Sequence, residues 1–213
     1  MKRFLNTLLL LACFTSSTPA IADASGKVFT IGTRVTGNSI PWMGQGAAAM
    51  RFQCLWFQSD INYAGYINAI EFAYQSGNPP AAFNNVKVWL CHTGKTTLEP
   101  TFDNNYTGNT PVQVMDKLTL TLEGTGWYDL GIDPNKFSFN NTANLLMEIR
   151  WYGDSGRAIY CWRSGGTAAR VYAESHTAES GTVENNSQYI RLHISTMAGV
   201  EPTSLGRVRA LFR

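Results

Sequence analysis

Along most of the chain, apolar and polar residues alternate with a period of two, in short stretches bounded by Gly, Asn, Asp and Pro. Period two is the signature of a strand with one face buried, whereas a packed helix repeats every three to four residues. The pattern predicts strands at 27–33, 51–57, 66–75, 86–92, 112–115, 118–123, 127–130, 144–152, 157–163, 168–174 and 188–195. Loops rich in Asn and Gly, such as DNNYTGN (103–109) and SGNPP (76–80), separate them. So many short strands and almost no helix-period segment predict an all-β domain, a two-sheet antiparallel β-sandwich of jelly-roll type.

Two ends break this pattern. The first 22 residues, MKRFLNTLLLLACFTSSTPAIA, combine Lys2 and Arg3, an apolar run from Phe4 to Phe14, and small residues at Ala20 and Ala22. That order is a secretory signal peptide cut after Ala22. The alternative is a lipobox at Leu10-Leu11-Ala12-Cys13, which would leave a lipid anchor on Cys13. At the other end, residues 197–213 form a C-terminal tail. There Leu205, Val208 and Phe212 fall at helical spacing among arginines, so a short amphipathic helix is expected. The organisation expected is therefore a signal peptide over 1–22, a β-sandwich domain over 23–196, and this tail. No segment has the ~20 apolar residues needed to span a bilayer as a helix. The expected location is outside the cell or at its surface.

Charge narrows the partners. The 17 basic residues include Lys2 and Arg3, so processing leaves 15 basic against 15 acidic side chains. A domain without basic excess lacks the electrostatic footprint for nucleic acid.

The segment WYGDSGRAIYCW (151–162) contains Gly-Asp-Ser-Gly, the tetrapeptide around the nucleophile of chymotrypsin-like proteases, and His92 precedes it in the chain. A secreted serine hydrolase using Ser155 is accordingly the alternative function. The same segment reads as a hairpin whose loop is GDSG. Tyr152 would then pair with Arg157, Trp151 with Ala158 and Ile149 with Tyr160, collecting one apolar face. Gly153, Asp154 and Gly156 are natural turn residues. Chain order alone defines no catalytic triad, which is a matter of distance and orientation, and no catalytic residue is assigned.

Of the cysteines left after processing, Cys54 shares a face with Phe52 and Trp56 and is expected in the core. Cys91 and Cys161 fall on opposite phases to their core-facing neighbours and are the candidate disulfide, with three free thiols as the alternative. Isolated cysteines and the absence of His-x-x-x-His spacing argue against a metal site, and no motif calls for a cofactor. DNNYTGN carries oxygen donors, but one carboxylate is few for calcium and the composition is that of a turn.

The candidate ligand surface is the solvent side of the sheets: Trp89, Glu148, Arg150, Tyr152, Tyr189, Arg191 and His193, with Arg170, Tyr172 and the loop residue Trp42 as additions. Aromatic planes beside charged groups suit a sugar, whose ring faces stack while its hydroxyls bond to the charges. The same residue types are also ordinary on the wet side of a sheet. From Arg51 to Thr196 the chain resembles poorly characterised β-sandwich modules of bacterial secreted and surface proteins. The resemblance is carried by RFQCLWFQSDI, GYINAIEFAY, VKVWLCHTGKTTLEPTFDNNYTGNTPV, GWYDL, FSFNNTANLLMEIRWYGDSG and YIRLHI. It implies an extracellular, non-catalytic role in surface or matrix structure, adhesion or glycan binding. The partner would be a polysaccharide or another surface protein, and the expectation is a module that stands alone, without a protease, glycosidase or repeat region beside it.

Overall fold

The computed structural model describes residues 26–44, 47–165 and 170–196. The expected signal peptide, the alternative lipobox at Cys13 and the expected tail over 197–213 lie outside them. In chain order the strands are β1 (Lys27–Ile31), β2 (Thr33–Asn38), β3 (Ala49–Trp56), β4 (Gly65–Gly77), β5 (Ala81–Thr93), β6 (Val112–Leu122) and β7 (Trp127–Asp129). They continue with β8 (Ser138–Phe139), β9 (Asn144–Tyr152), β10 (Ile159–Gly165), β11 (Arg170–Ala173), β12 (Thr182–Glu184), β13 (Ser187–Gln188) and β14 (Ile190–Ser195).

These strands make two antiparallel sheets. One has the order β12-β11-β3-β9-β5-β6. The other has eight strands, β1-β14-β4-β10-β13, with β2 also on β10 and β7 and β8 also on β4. The expected two-sheet sandwich is what the chain forms. The jelly-roll connectivity expected from the sequence is not established by this strand order. Among the described residues no helix is long and apolar enough to cross a membrane.

Alternation explains the interior. Met50, Phe52, Cys54 and Trp56 of β3 and Leu145, Met147, Ile149 and Trp151 of β9 are all buried, and they meet Ile70, Phe72, Ile190, Leu192 and Ile194 from the other sheet in one core. Burying side chains of this size contributes about 1.5–3 kcal/mol each, the term that opposes chain entropy. Phe83 packs between Trp42 and Trp151 at ring-centroid distances of 5.1 and 5.0 Å. Trp42 is therefore a core residue, 0% exposed, rather than the loop platform expected. One irregularity shifts the phase in β5. Asn85 adopts a left-handed φ of 50°, so Phe83 and Val86 both face inward although they are three positions apart. On the neighbouring β6 the same shift leaves Leu118 79% exposed.

The expected hairpin between β9 and β10 does not form. β9 pairs with β3 and β5, while β10 pairs with β4, β2 and β13, so GDSG carries the chain from one sheet to the other. The face of β9 expected inward is inward. That of β10 is reversed: Ile159 and Cys161 are buried in the core and Tyr160 is exposed. A hairpin register transmits the phase of one strand to the next, and a crossover between sheets does not.

That reversal also corrects the disulfide. Cys161 lies inside the sandwich, 3.8 Å from Tyr128 Oη, whereas Cys91 is on the outer side of the six-stranded sheet beside Leu55 and Leu146. All three thiols are free and buried. Burial pushes Cys54 and Cys161 up to about 12 and Cys91 up to about 11, which suppresses the reactive thiolate. Iodoacetamide should therefore label these positions slowly in the native protein and all three in denaturant without reductant. A Cys91–Cys161 pair that resists labelling until reduced would contradict this arrangement.

Candidate functional site

The seven residues expected on one ligand surface are divided between the two outer faces of the sandwich. On the six-stranded sheet, Gln53 and Trp89 flank Glu148 across β3-β9-β5, and Arg51 pairs with Arg150. This face is largely covered. The segment around the 3-10 turn Phe102–Tyr106 folds over it, and Leu98 and Phe102 pack on Leu55, Cys91, Leu146 and Val171. That second apolar layer is why LLMEI in β9 is buried on both sides rather than alternating.

Glu148 anchors this cover and is only 1% exposed. It accepts from Arg51 Nε at 3.1 Å, from Gln53 Nε2 at 2.6 Å, and from Tyr106 Oη and Arg150 Nε. Arg51 also donates to Asp103 at 2.7 Å and to the Ala178 carbonyl at 2.8 Å, with its guanidinium 4.4 Å from the Phe102 ring centre. Burial alone would pull the Arg51 guanidinium down, but the Glu148 carboxylate and the Asp103 hydrogen bond carry it above its ordinary value. Burial, reinforced by the same carboxylate, pushes the Tyr106 hydroxyl up. With every neighbour engaged, Glu148 is a structural node rather than a ligand group.

DNNYTGN belongs to this cover. Asp103 is committed to Arg51, while Asn105 donates to Gln53 at 2.9 Å and to the Glu99 carbonyl at 3.0 Å. Trp89 stays partly exposed with the Arg150 guanidinium 5.2 Å from its ring centre, and Tyr152 stacks on His176 at 4.6 Å.

Arg170, expected outward, is 0% exposed in the seam between the sheets. It donates to Glu184 Oε2 at 3.0 Å from Nε and to Asn38 at 3.1 Å from Nη1, joining β11 and β12 to β2 of the opposite sheet. Burial lowers its guanidinium from the ordinary value despite Glu184. Tyr172, the other addition, packs against the core instead of facing solvent.

Ser155 and His92 do not meet. Ser155 Oγ accepts from Ala82 N at 3.0 Å and Ser155 N donates to Ala82 O at 2.9 Å, at the start of β5. His92 is near the other end of that strand, ten residues on, a separation of roughly 33 Å at strand rise. There it accepts from Asn140 N at 3.1 Å and lies on Phe137 and Phe139 at 4.8 and 5.9 Å. Burial holds His92 below its usual range. His92 is thus too distant to act as base for Ser155.

The other outer face is open and contains a groove of about 590 Å³. Arg34, Trp162, Trp127, Tyr189 and Arg191 line it, with Trp127 beside Ala73 on one flank and Trp162 on the other, and the Tyr189 backbone between Ala73 and Trp162. The floor is set by β4: Ala73 pairs with Trp127, and its methyl side chain leaves room that a larger residue would fill. Each flank is a guanidinium on an indole. Arg34 Cζ is 4.7 Å from the Trp162 ring centre and Arg191 Cζ 4.0 Å from that of Trp127, which also meets the Tyr189 ring at 5.2 Å. Such a contact draws the cation to the ring face, by about 0.5–1 kcal/mol at an exposed site.

Tyr189 and Arg191 come from the expected set and line this groove, and His193 continues the same row. His193 Nε2 is 3.2 Å from Glu71 Oε2, which is also 3.9 Å from Arg191 Nη1. Arg34, Tyr74, Trp127 and Trp162 were not expected here. Arg34 lies in β2, which the alternation pattern did not predict because its first strand ended at 33, and Trp162 was placed inward by the hairpin register. Compared with known families and with curated proteins, the chain matches no family model and no curated relative.

Replacing Glu148 with Leu should cost about 3–5 kcal/mol, because Arg51 and Gln53 are left buried without their acceptor. The urea midpoint should fall accordingly, and proteolysis should open the 94–109 segment first. An unchanged midpoint would contradict the anchoring role.

Proposed function

We propose that this is an exported, non-catalytic β-sandwich protein that binds glycan through the groove on the outer face of the eight-stranded sheet. The observation that carries the reading is the pair of Arg–Trp stacks, Arg34 on Trp162 and Arg191 on Trp127, facing each other across about 590 Å³ of open space. Pyranose rings present an apolar face that stacks on an indole, while Arg and Tyr edges supply hydrogen bonds to the ring substituents. Export rests on the signal-peptide pattern of residues 1–22. The resemblance to bacterial surface modules agrees with a role in adhesion or in the matrix, where glycan is the partner at hand.

The test is binding to a panel of cell-wall and matrix polysaccharides by affinity electrophoresis. Trp127→Ala and Trp162→Ala should each weaken retention by about two- to tenfold, on the scale of one lost stacking platform at about 0.5–1.5 kcal/mol. Trp89→Ala, on the opposite face, should leave retention unchanged. Melting curves distinguish lost binding from lost folding. Retention by no panel member would leave a purely structural role for the sandwich.

A further inference from the structure

The chemistry of the groove selects among glycans. A site for neutral sugars needs acceptors for hydroxyl protons as well as donors, and carboxylates commonly supply them. No carboxylate lines this groove, whereas two guanidiniums do. Arg34 is exposed and meets no carboxylate within ion-pair distance among the described residues. Arg191 has Glu71 at 3.9 Å, but that carboxylate is closer to His193, at 3.2 Å. Glu71 itself sits one alternation along β4 from the Ala73 floor and does not line the cavity. Two guanidiniums therefore line the groove beside tryptophans without a side-chain hydrogen bond among the described residues, Arg34 unpaired and Arg191 held only by a long ion pair to Glu71.

Stacking leaves a guanidinium able to donate in its own plane, and the planar fork matches a carboxylate with two parallel hydrogen bonds. From this we infer that the groove recognises an acidic sugar, a uronate whose ring lies on Trp127 or Trp162 and whose carboxylate is held by Arg34 or Arg191. The inference rests on the groove being a glycan site and adds the charge of the ligand. The zero net charge of the processed chain makes the recognition local: the attraction comes from these two side chains and not from a field around the whole protein.

Titration with trigalacturonate, with its methyl ester and with a sulfated trisaccharide of equal charge tests it, read by tryptophan fluorescence at low and at physiological salt. The methyl ester keeps the rings and removes the charge. The acid should bind about tenfold or more tightly than the ester, the gain expected of a charge-assisted bidentate pair. That advantage should shrink with salt and disappear in the Arg34→Gln, Arg191→Gln double variant. In the Arg34→Lys, Arg191→Lys double variant charge remains and the fork is lost, so the acid should bind more weakly than to the parent.

Ester and acid bound equally, both lost in Trp127→Ala, would overturn the acidic assignment while leaving a glycan groove. Tighter binding of the sulfated sugar than of the uronate would overturn the carboxylate assignment. Failure of all three to bind would overturn this inference, and failure of the wider polysaccharide panel as well would overturn the groove reading with it.

Discussion

The buried carboxylate of Glu148 decides which side of this sandwich can meet a ligand. Taking a carboxylate out of water is expensive unless several donors replace the lost hydration, and here Arg51, Gln53, Tyr106 and Arg150 do so. Those donors come from β3, from β9 itself and from the turn that follows β5, so satisfying the charge also fastens a cover over the six-stranded sheet. Leu98 and Phe102 add apolar contact beneath that cover. One outer face is closed as a consequence. Among the described residues the eight-stranded sheet has no comparable buried carboxylate on its outer side, and its groove stays open to solvent.

The groove depends in turn on local choices along β4, β7, β10 and the loop before β14. Ala73 is small where its neighbours are large, and Gly126 reaches φ 72° at the entry to β7, a backbone conformation that a side chain would strain. Trp127 and Trp162 stand on either side of that hollow, each with an arginine over one face of its ring. The Arg170–Glu184–Asn38 cluster secures the seam between sheets nearby, tying β2, which carries Arg34, to β11 and β12.

Period-two alternation made the sandwich legible, because one buried face per strand is all that a two-sheet core requires of the sequence. It identified Phe52, Cys54 and Trp56 of β3 and Leu145, Met147, Ile149 and Trp151 of β9 as inward, and missed Phe83 of β5, which lies beyond the phase shift at Asn85. It could not say which strands pair, since phase is local and sheet assignment is not. This is why Trp162 was placed in the core and Cys91 was matched with Cys161, which in fact points into the sandwich. Burial on both faces also defeated alternation. Glu148 looked like a solvent-side charge because nothing in NLLMEIRWY announces that a turn some forty residues earlier folds back over it. Tyr189, Arg191 and His193 were found by alternation, but their partners Arg34, Trp127 and Trp162 are distant in sequence and meet only through sheet order.

The six tryptophans allow a direct measurement. Trp42, Trp56 and Trp151 are buried in the core, Trp89 is on the covered face, and Trp127 and Trp162 line the groove. In an indole N–H NMR spectrum titrated with a bound oligosaccharide, the signals of Trp127 and Trp162 should move with one common affinity while the other four stay in place. Movement of Trp89 with Trp127 and Trp162 unchanged would put the ligand on the opposite sheet and contradict the account.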